Sequence, residues 1–318
     1  MIIKNKSYFS PMETKSIQID WYIIFNPTSG GGDGQKKINH ILFLLNKYTL
    51  GYKIITTQYA HQEEILVQTA IEKGFRNFIC IGGDGTIHHM INGIMKQTFI
   101  NSNEIKLAVI PTGTGNDWIK NYGISKDIDK AIKLIQKQKC IHQDIGKISL
   151  PDVNQEVYFN NAAGIGFDAF VVKHITSYKK WGSLSYLIAA LISLKKYIPG
   201  ILTYSIDSVK NNSSIFLISL GICRYSGSGM QLTDFNHHKK GYFDITLINS
   251  ISIFRVITNI FSLYNGNINR IKETKCARIK EIEIHTNKSC FIQADGELIG
   301  QGKAKFTLVP EAIQFVIS

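Results

Sequence analysis

Phe78-Ile79-Cys80-Ile81-Gly82-Gly83-Asp84-Gly85-Thr86 decides the fold, together with the helix-spaced Ile87, Met90, Ile91, Ile94 and Met95 beyond it. A short apolar run closed by glycines reads as a buried strand. The i, i+3, i+4, i+7 spacing that follows reads as a helix lying back on it. The same order recurs on both sides. Residues 21–25 run into Asn26-Pro27-Thr28-Ser29-Gly30-Gly31-Gly32 and then a helix carrying Ile38, Ile41, Leu42 and Leu45. A strand at 53–57 precedes a helix with Ile65, Leu66 and Ile71, stopped by Gly74. Residues 107–110 lead into Pro111-Thr112-Gly113-Thr114-Gly115-Asn116-Asp117, and Ile128, Ala131, Ile132 and Ile135 mark another helix. Strands alternating with helices predict a parallel sheet covered by helices.

After about residue 145 the rhythm changes. Residues 157–163, 202–207, 214–222, 242–248, 279–285 and 290–294 are strand-like, and helical stretches interrupt them near 184–196 and 253–264. Two more strand candidates in the tail break at Pro310. Strands in runs, with Asn, Gly and Ser turns between them, predict a mainly antiparallel second domain. The class is therefore α/β, a parallel βαβ domain plus a β-rich one with a cleft between them.

Composition narrows the partners. The 318 residues carry 36 Lys and Arg against 24 Asp and Glu, a formal charge of +12, which favours anionic partners. Basic residues are dispersed and no reader motif occurs, so nucleic acid is not expected. Five cysteines without C-x-x-C spacing argue against a disulfide framework or a zinc site and for a reducing cytoplasm. No transmembrane segment is expected, because the most apolar stretch, 184–194, is too short to span a bilayer. Lys and aromatic residues bracket it at Tyr178-Lys179-Lys180-Trp181 and Lys195-Lys196-Tyr197. It is expected to be a core helix with a solvated Lys at each end, docking at a lipid interface being the alternative, and Ile253, Phe254, Val256, Ile257, Ile260, Phe261 and Tyr264 are expected to be a packing face.

Three glycine loops leaving strand ends carry the chemistry. Glycine lets backbone N–H groups approach a ligand, and the helix that follows points its positive end at the same place. In a parallel sheet such loops share one edge, where ligands bind. They predict a phosphate cradle, with Asp84 placed to hold Mg²⁺ or its water. None is a G-x-x-x-x-G-K-[ST] loop or a G-x-G-x-x-G fingerprint. Late in the chain Asp295-Gly296-Glu297 follows a strand, and a carboxylate facing those loops could accept a proton from an alcohol.

In this order the motifs resemble the diacylglycerol kinase catalytic family, in particular soluble bacterial lipid kinases related to sphingosine kinases. Asp144-Ile145-Gly146, the run from Phe159 to Asp168, and Arg224-Tyr225-Ser226-Gly227-Ser228-Gly229-Met230 extend the likeness. The resemblance implies an ATP:lipid phosphotransferase assisted by Mg²⁺, acting on a lipid substrate in peripheral contact with a membrane; a homodimer stays open. It implies a flexible extension at 1–19, an ATP-binding domain at 20–142 with a strand returning at about 308–318, and a lipid-substrate domain at 143–307. By similarity, Asn26, Pro27, Thr28, Ser29, Gly30, Thr57, Gly82, Gly83, Asp84, Gly85, Thr86, His89, Thr114 and Asp117 line the ATP site. Glu297, with Asp295 beside it, matches the proton acceptor, and Asp144 matches a further acid near the phosphates. An NAD kinase-like enzyme, or a nucleotide- or lipid-binding regulator with weakened catalysis, is the alternative.

Of the sequence's departures from the family, Gly221 where Asn is common and Asp234 where Pro is common leave the resemblance unchanged, and two others bear on charge. Ile87-His88-His89 stands where relatives carry Leu-Asn-Glu. Lys239-Lys240-Gly241 stands where many bacterial relatives carry Asp-Asp-Gly around a structural Mg²⁺. Lys240 would repel that ion, so the structural site is expected to be absent.

Overall fold

Residues 20–175, 185–233, 241–285 and 290–317 are described by the computed structural model. The first half contains β1 (Trp21–Phe25), α1 (Ser29–Lys47), β2 (Tyr52–Thr56), α2 (Gln62–Glu72), β3 (Asn77–Gly82), α3 (Asp84–Lys96), β4 (Lys106–Pro111), α4 (Asp117–Asn121) and α5 (Ile128–Lys137). Its strands are parallel in the order β2-β1-β3-β4. Successive residues of a strand face opposite ways, so each strand feeds two cores. Trp21, Ile23 and Phe25 pack with Ile41 and Leu45 of α1 and Ile132 and Ile135 of α5. Tyr22 and Ile24 pack with Val67 and Ile71 of α2 and Met90 and Ile91 of α3. Burial on both faces explains why these strands read as unbroken apolar runs.

The second half contains β5 (Cys140–Leu150), β6 (Gln155–Phe159), β7 (Ala162–Gly166), α6 (Phe167–Ile175), α7 (Ser185–Leu194), β8 (Gly200–Ile206), β9 (Val209–Gly221) and β10 (Phe243–Asn249). It continues with α8 (Ile253–Thr258), α9 (Ile260–Tyr264), β11 (Thr274–Ile279), β12 (Ile282–Ile284), β13 (Phe291–Ala294), β14 (Glu297–Gln301) and β15 (Ala304–Val316). Pairing among these strands is antiparallel. β15 joins the halves. It lies against β5 along most of its length, pairs with β12 at its start, and ends parallel to β4 through Gln314 and Phe315. The ladder with β5 is irregular between Val309 and Ile313, around Pro310, which has no N–H to give. Asp144 accepts there from the Glu311 N–H at 2.8 Å and from the Gly241 N–H at 2.5 Å.

Several expectations need correction. The strand expected at 157–163 is two strands, β6 and β7, because the N–H groups between them turn to a carboxylate described below. The helix expected at 253–264 breaks into α8 and α9 at Asn259, and β5, β11 and β14 are additional strands, β5 running through the expected change of pattern near 145. The two strands expected in the tail are one irregular strand. The packing face at 253–264 is only partly a packing face. Val256 and Leu263 reach a core shared with Phe167, Ala189, Leu194 and Phe216, but Phe254 and Phe261 are 75% and 76% exposed. In α7, Ala189 and Leu194 are buried while Leu191 and Ile192 are exposed. The aromatic–basic group at 178–181 and the expectation at Lys240 lie outside the described residues. Among the described residues no helix is long and apolar enough to cross a membrane.

The helices beside the β3 loop pack at close range. A Cβ on Gly93 of α3 would stand 2.7 Å from the Glu64 carbonyl oxygen and 2.9 Å from its Cα. The Glu64 side chain crosses back to α3, accepting from Lys96 at 3.0 Å and from His89 at 3.4 Å. Burial raises its carboxyl, but those two hydrogen bonds outweigh burial and hold it down at about 2.

Two outcomes follow for this helix pair. Ala at position 93 gains about 1 kcal/mol of helix propensity but overpacks backbone at a cost of about 1–3 kcal/mol, so Gly93→Ala should destabilise on balance, read by denaturant unfolding. A depressed carboxyl contributes stability that is present above its unfolded value, near 4.5, and lost as pH falls toward 2. Glu64→Gln should therefore cost roughly 2 kcal/mol at neutral pH after discounting for partial exposure. Its gap from the parent protein should close as unfolding is repeated between about pH 5 and pH 2.

Candidate active site

The strand order β2-β1-β3-β4 reverses direction between β1 and β3, and a crevice opens at such a point beyond the carboxyl ends. The three glycine loops meet there. Thr112 N–H donates to the Gly82 carbonyl at 2.9 Å, and the Ser29 and Thr112 hydroxyls are 2.6 Å apart. Asn26 Nδ2 donates to Thr86 Oγ1 at 3.1 Å. Gly30, Gly31 and Gly32 have φ of +63°, +69° and +94°, a left-handed stretch that ordinary side chains resist, so the regular part of α1 starts after them. A Cβ on Gly83 would lie 2.9 Å from the Gly113 Cα. Glycine at that position thus lets two loops pack, besides leaving room for a ligand.

No side chain caps the N-terminus of α3, whose N-cap is the extended Gly83. Its first N–H groups and the helix dipole are therefore left for an anion. Asp84 instead serves the neighbouring helix, accepting from Asp117 N–H at 3.0 Å and Trp118 N–H at 3.2 Å at the start of α4. Burial, and then the nearby Asp117, push the Asp84 carboxyl up to about 6 against those two hydrogen bonds. Asp117 pairs with Lys120 at 2.7 Å and accepts from Ser228 N–H at 2.7 Å, which ties the Ser226–Met230 turn of the second half to α4.

The late carboxylates approach from the other side. Asp295 accepts from the N–H groups of Asn160, Asn161 and Ala162 at 3.1, 3.0 and 3.1 Å. His88 Nδ1 donates to it at 3.0 Å, a tautomer consistent with Asn92 Nδ2 facing His88 Nε2 at 3.3 Å. Asn92 also exchanges hydrogen bonds with the Tyr158 backbone, 3.0 Å from its N–H and 2.8 Å to its carbonyl, so α3 holds β6 as a strand would. Glu297 begins β14, and its Oε1 lies 3.4 Å from where a Cβ on Gly85 would stand. A carboxylate of the second half thereby faces the first turn of α3.

Between the halves is a cleft of about 420 Å³. Among the residues expected from sequence, Thr28, Asp84, Thr114, Asp117 and Asp295 line it. Asn26, Ser29 and Thr86 form the frame behind it, and Thr57 closes the end of β2 by donating its N–H to Phe25 O at 2.9 Å. His89 is turned toward α2, where its Nε2 is 2.7 Å from His61 Nδ1. Asp144 is committed to the β15 irregularity. Sequence reasoning assigned no role to Glu63, which accepts from Asn26 Nδ2 at 3.2 Å, or to Asn161 and Asp168, which line the cleft. The runs holding Asn161, Asp168 and Ser228 stood out as motifs; Glu63 had no signal beyond helix spacing.

The oxygen-only donor set suits a hard cation such as Mg²⁺. The buried Asn161 Oδ1 has no hydrogen-bond partner, and Asp84 and Asp117 line the same cleft. Among the described residues no three acidic, His or Cys side chains form a metal cage. An ion here would bind through one or two carboxylates and its ligand's phosphates, the usual manner of Mg²⁺.

Comparison with known proteins agrees with this architecture. Residues 20–148 match the diacylglycerol kinase catalytic domain, and residues 161–317 match the YegS C-terminal NAD kinase beta sandwich-like domain. A diacylglycerol kinase of Mycobacterium tuberculosis is 26% identical over 91% of this chain and 92% of its own length. One of Staphylococcus carnosus is 25% identical over 92% and 93%. The crystal structure of a diacylglycerol kinase from Bacillus anthracis shares the fold, with a TM-score of 0.69 at 19% identity over 94% of this chain and 97% of the other. With the catalytic-domain match, the β-sandwich match and the cleft between them, the chain belongs to the diacylglycerol kinase family, phosphotransferases with an alcohol group as acceptor.

Proposed function

We propose that the protein transfers the terminal phosphoryl group of ATP to a hydroxyl of diacylglycerol or a similar membrane lipid, with Glu297 as proton acceptor. The observation that carries this reading is the approach of Glu297 to Gly85, at the open N-terminus of α3. There the backbone N–H groups of Asp84, Gly85 and Thr86 hold phosphate oxygens, and Thr28 and Thr114 bound the nucleotide. Asp84 would hold Mg²⁺ together with phosphate oxygens, and the ion would supply positive charge to the phosphates. The lipid hydroxyl lies between Glu297 and the terminal phosphate. As its oxygen attacks in line, its proton passes to the Glu297 carboxylate.

Asp295 has a different part. Its side chain is 1% exposed and its oxygens already accept four donors, so it orients the turn that presents Glu297. His88 positions Asp295 in turn.

The test is a labelled-ATP assay with diacylglycerol in mixed micelles, and with NAD in parallel. Labelled phosphatidic acid is the expected product. Phosphorylation of NAD in place of every lipid offered would overturn the assignment. Glu297→Gln should lower turnover by roughly 10²–10⁴ with ATP binding retained. Gly85→Ala should keep the fold, since Ala is a better helix former, yet lower turnover by about 10–100-fold, because its methyl enters the gap beside Glu297. Parent-like turnover in both variants would remove Glu297 from the chemistry.

A further inference from the structure

We propose that the outer faces of α7, α8 and α9 form one docking surface for an anionic lipid bilayer; this rests on the lipid-kinase reading and assigns the side of the molecule that meets the membrane. Phe254 and Phe261 are the most exposed large apolar residues of α8 and α9, and Ile253 and Ile257 of α8 are about half exposed. Large apolar side chains set this close together on a surface mark an interaction site. The inner sides of the same helices are firmly held. Val256 and Leu263 reach the core, Gln231 Nε2 donates to the Tyr264 carbonyl at 2.7 Å, and Arg255 pairs with Glu273 at 2.8 Å. The outer side is presented by a fixed scaffold.

Charge selects the occupant. The Arg255–Glu273 pair places the start of β11 beside α8, and Arg270, Lys272 and Lys275 around it are exposed. Across the same core, α7 exposes Leu191 and Ile192 and is followed by exposed Lys195, Lys196 and Ile198. Aromatic and aliphatic side chains ringed by lysines match the boundary of an anionic membrane, where the former enter the acyl region and the latter meet headgroups.

Position relative to the cleft agrees. An apolar pocket of about 70 Å³ lies between α7 and the α8–α9 pair, lined by Ala190, Val256 and Leu263 among others. Asp168 lines both this pocket and the cleft. A bilayer on this face would present lipid beside an apolar opening that adjoins the phosphate-binding side.

The experiment is vesicle co-sedimentation of the full chain with equimolar phosphatidylglycerol–phosphatidylcholine and with pure phosphatidylcholine. The parent should bind the anionic vesicles more tightly, and raised salt should weaken that preference. The double variant Phe254→Ser, Phe261→Ser should lose about tenfold or more in binding to both. Lys272→Glu with Lys275→Glu should lose only the anionic preference. Both variants should retain phosphorylation of a water-soluble short-chain diacylglycerol, which reports intact folding and chemistry. Parent-like vesicle binding by the Phe variant overturns the proposal. So does a concentration-dependent dimer that the Phe variant abolishes, since a second copy would then cover this face. A parent protein that binds vesicles through Phe254 and Phe261 but phosphorylates no lipid would retain the docking surface and reject the kinase reading.

Discussion

The Asp295 carboxylate is the point on which the two halves depend. It is buried with three backbone N–H groups and one imidazole aimed at it. Those N–H groups are the ones left unpaired where β6 stops and β7 begins, and hydrogen bonds to a charged acceptor are stronger than neutral ones. The imidazole comes from α3, whose N-terminus faces the cleft. One side chain therefore fixes a strand break, a hairpin turn and the helix of the β3 loop relative to each other. Losing it would leave several buried donors without an acceptor, an expensive vacancy in a low-dielectric interior.

Around that point the site is assembled by mutual support. The loops after β1, β3 and β4 are bonded to each other, and Asp84 spends its carboxylate on the start of α4 rather than on its own helix. This leaves the α3 N-terminus open while gathering acidic groups near it. Burial first, and then Asp117 beside it, raise the Asp84 carboxyl to about 6. A cleft holding such carboxylates suits a nucleotide only together with a cation, which reconciles an anion-binding helix end with acidic walls.

The second half does more than close the cleft. The Ser226–Met230 turn bonds to Asp117, and Gln231 just beyond it bonds to the end of α9. The same short stretch therefore touches the catalytic side of the molecule and the helices with exposed phenylalanines. These neighbours in sequence link α4 at the cleft to the end of α9.

The sequence by itself determined the parallel sheet and the glycine loops at its strand ends. Both are local: a strand buried on two faces needs a continuous apolar run, and a turn at its end needs glycine. The acidic pair at Asp295 and Glu297 was legible as a motif, but its division into one buried member and one facing α3 was not. That division depends on N–H groups 133 to 135 residues away, which only folding brings to Asp295. The break between β6 and β7 escaped notice for the same reason, since Phe159-Asn160-Asn161-Ala162 carries no proline and its cause lies in the turn between β13 and β14. His88 looked like one of two adjacent histidines; the turn of α3 buries it against Asp295 and sends His89 toward α2. The exposure of Phe254 and Phe261 was hidden because helical spacing shows that a face is apolar and not whether anything covers it. Local chemistry is written in the order of residues, whereas burial and long-range partners are properties of the packed chain alone.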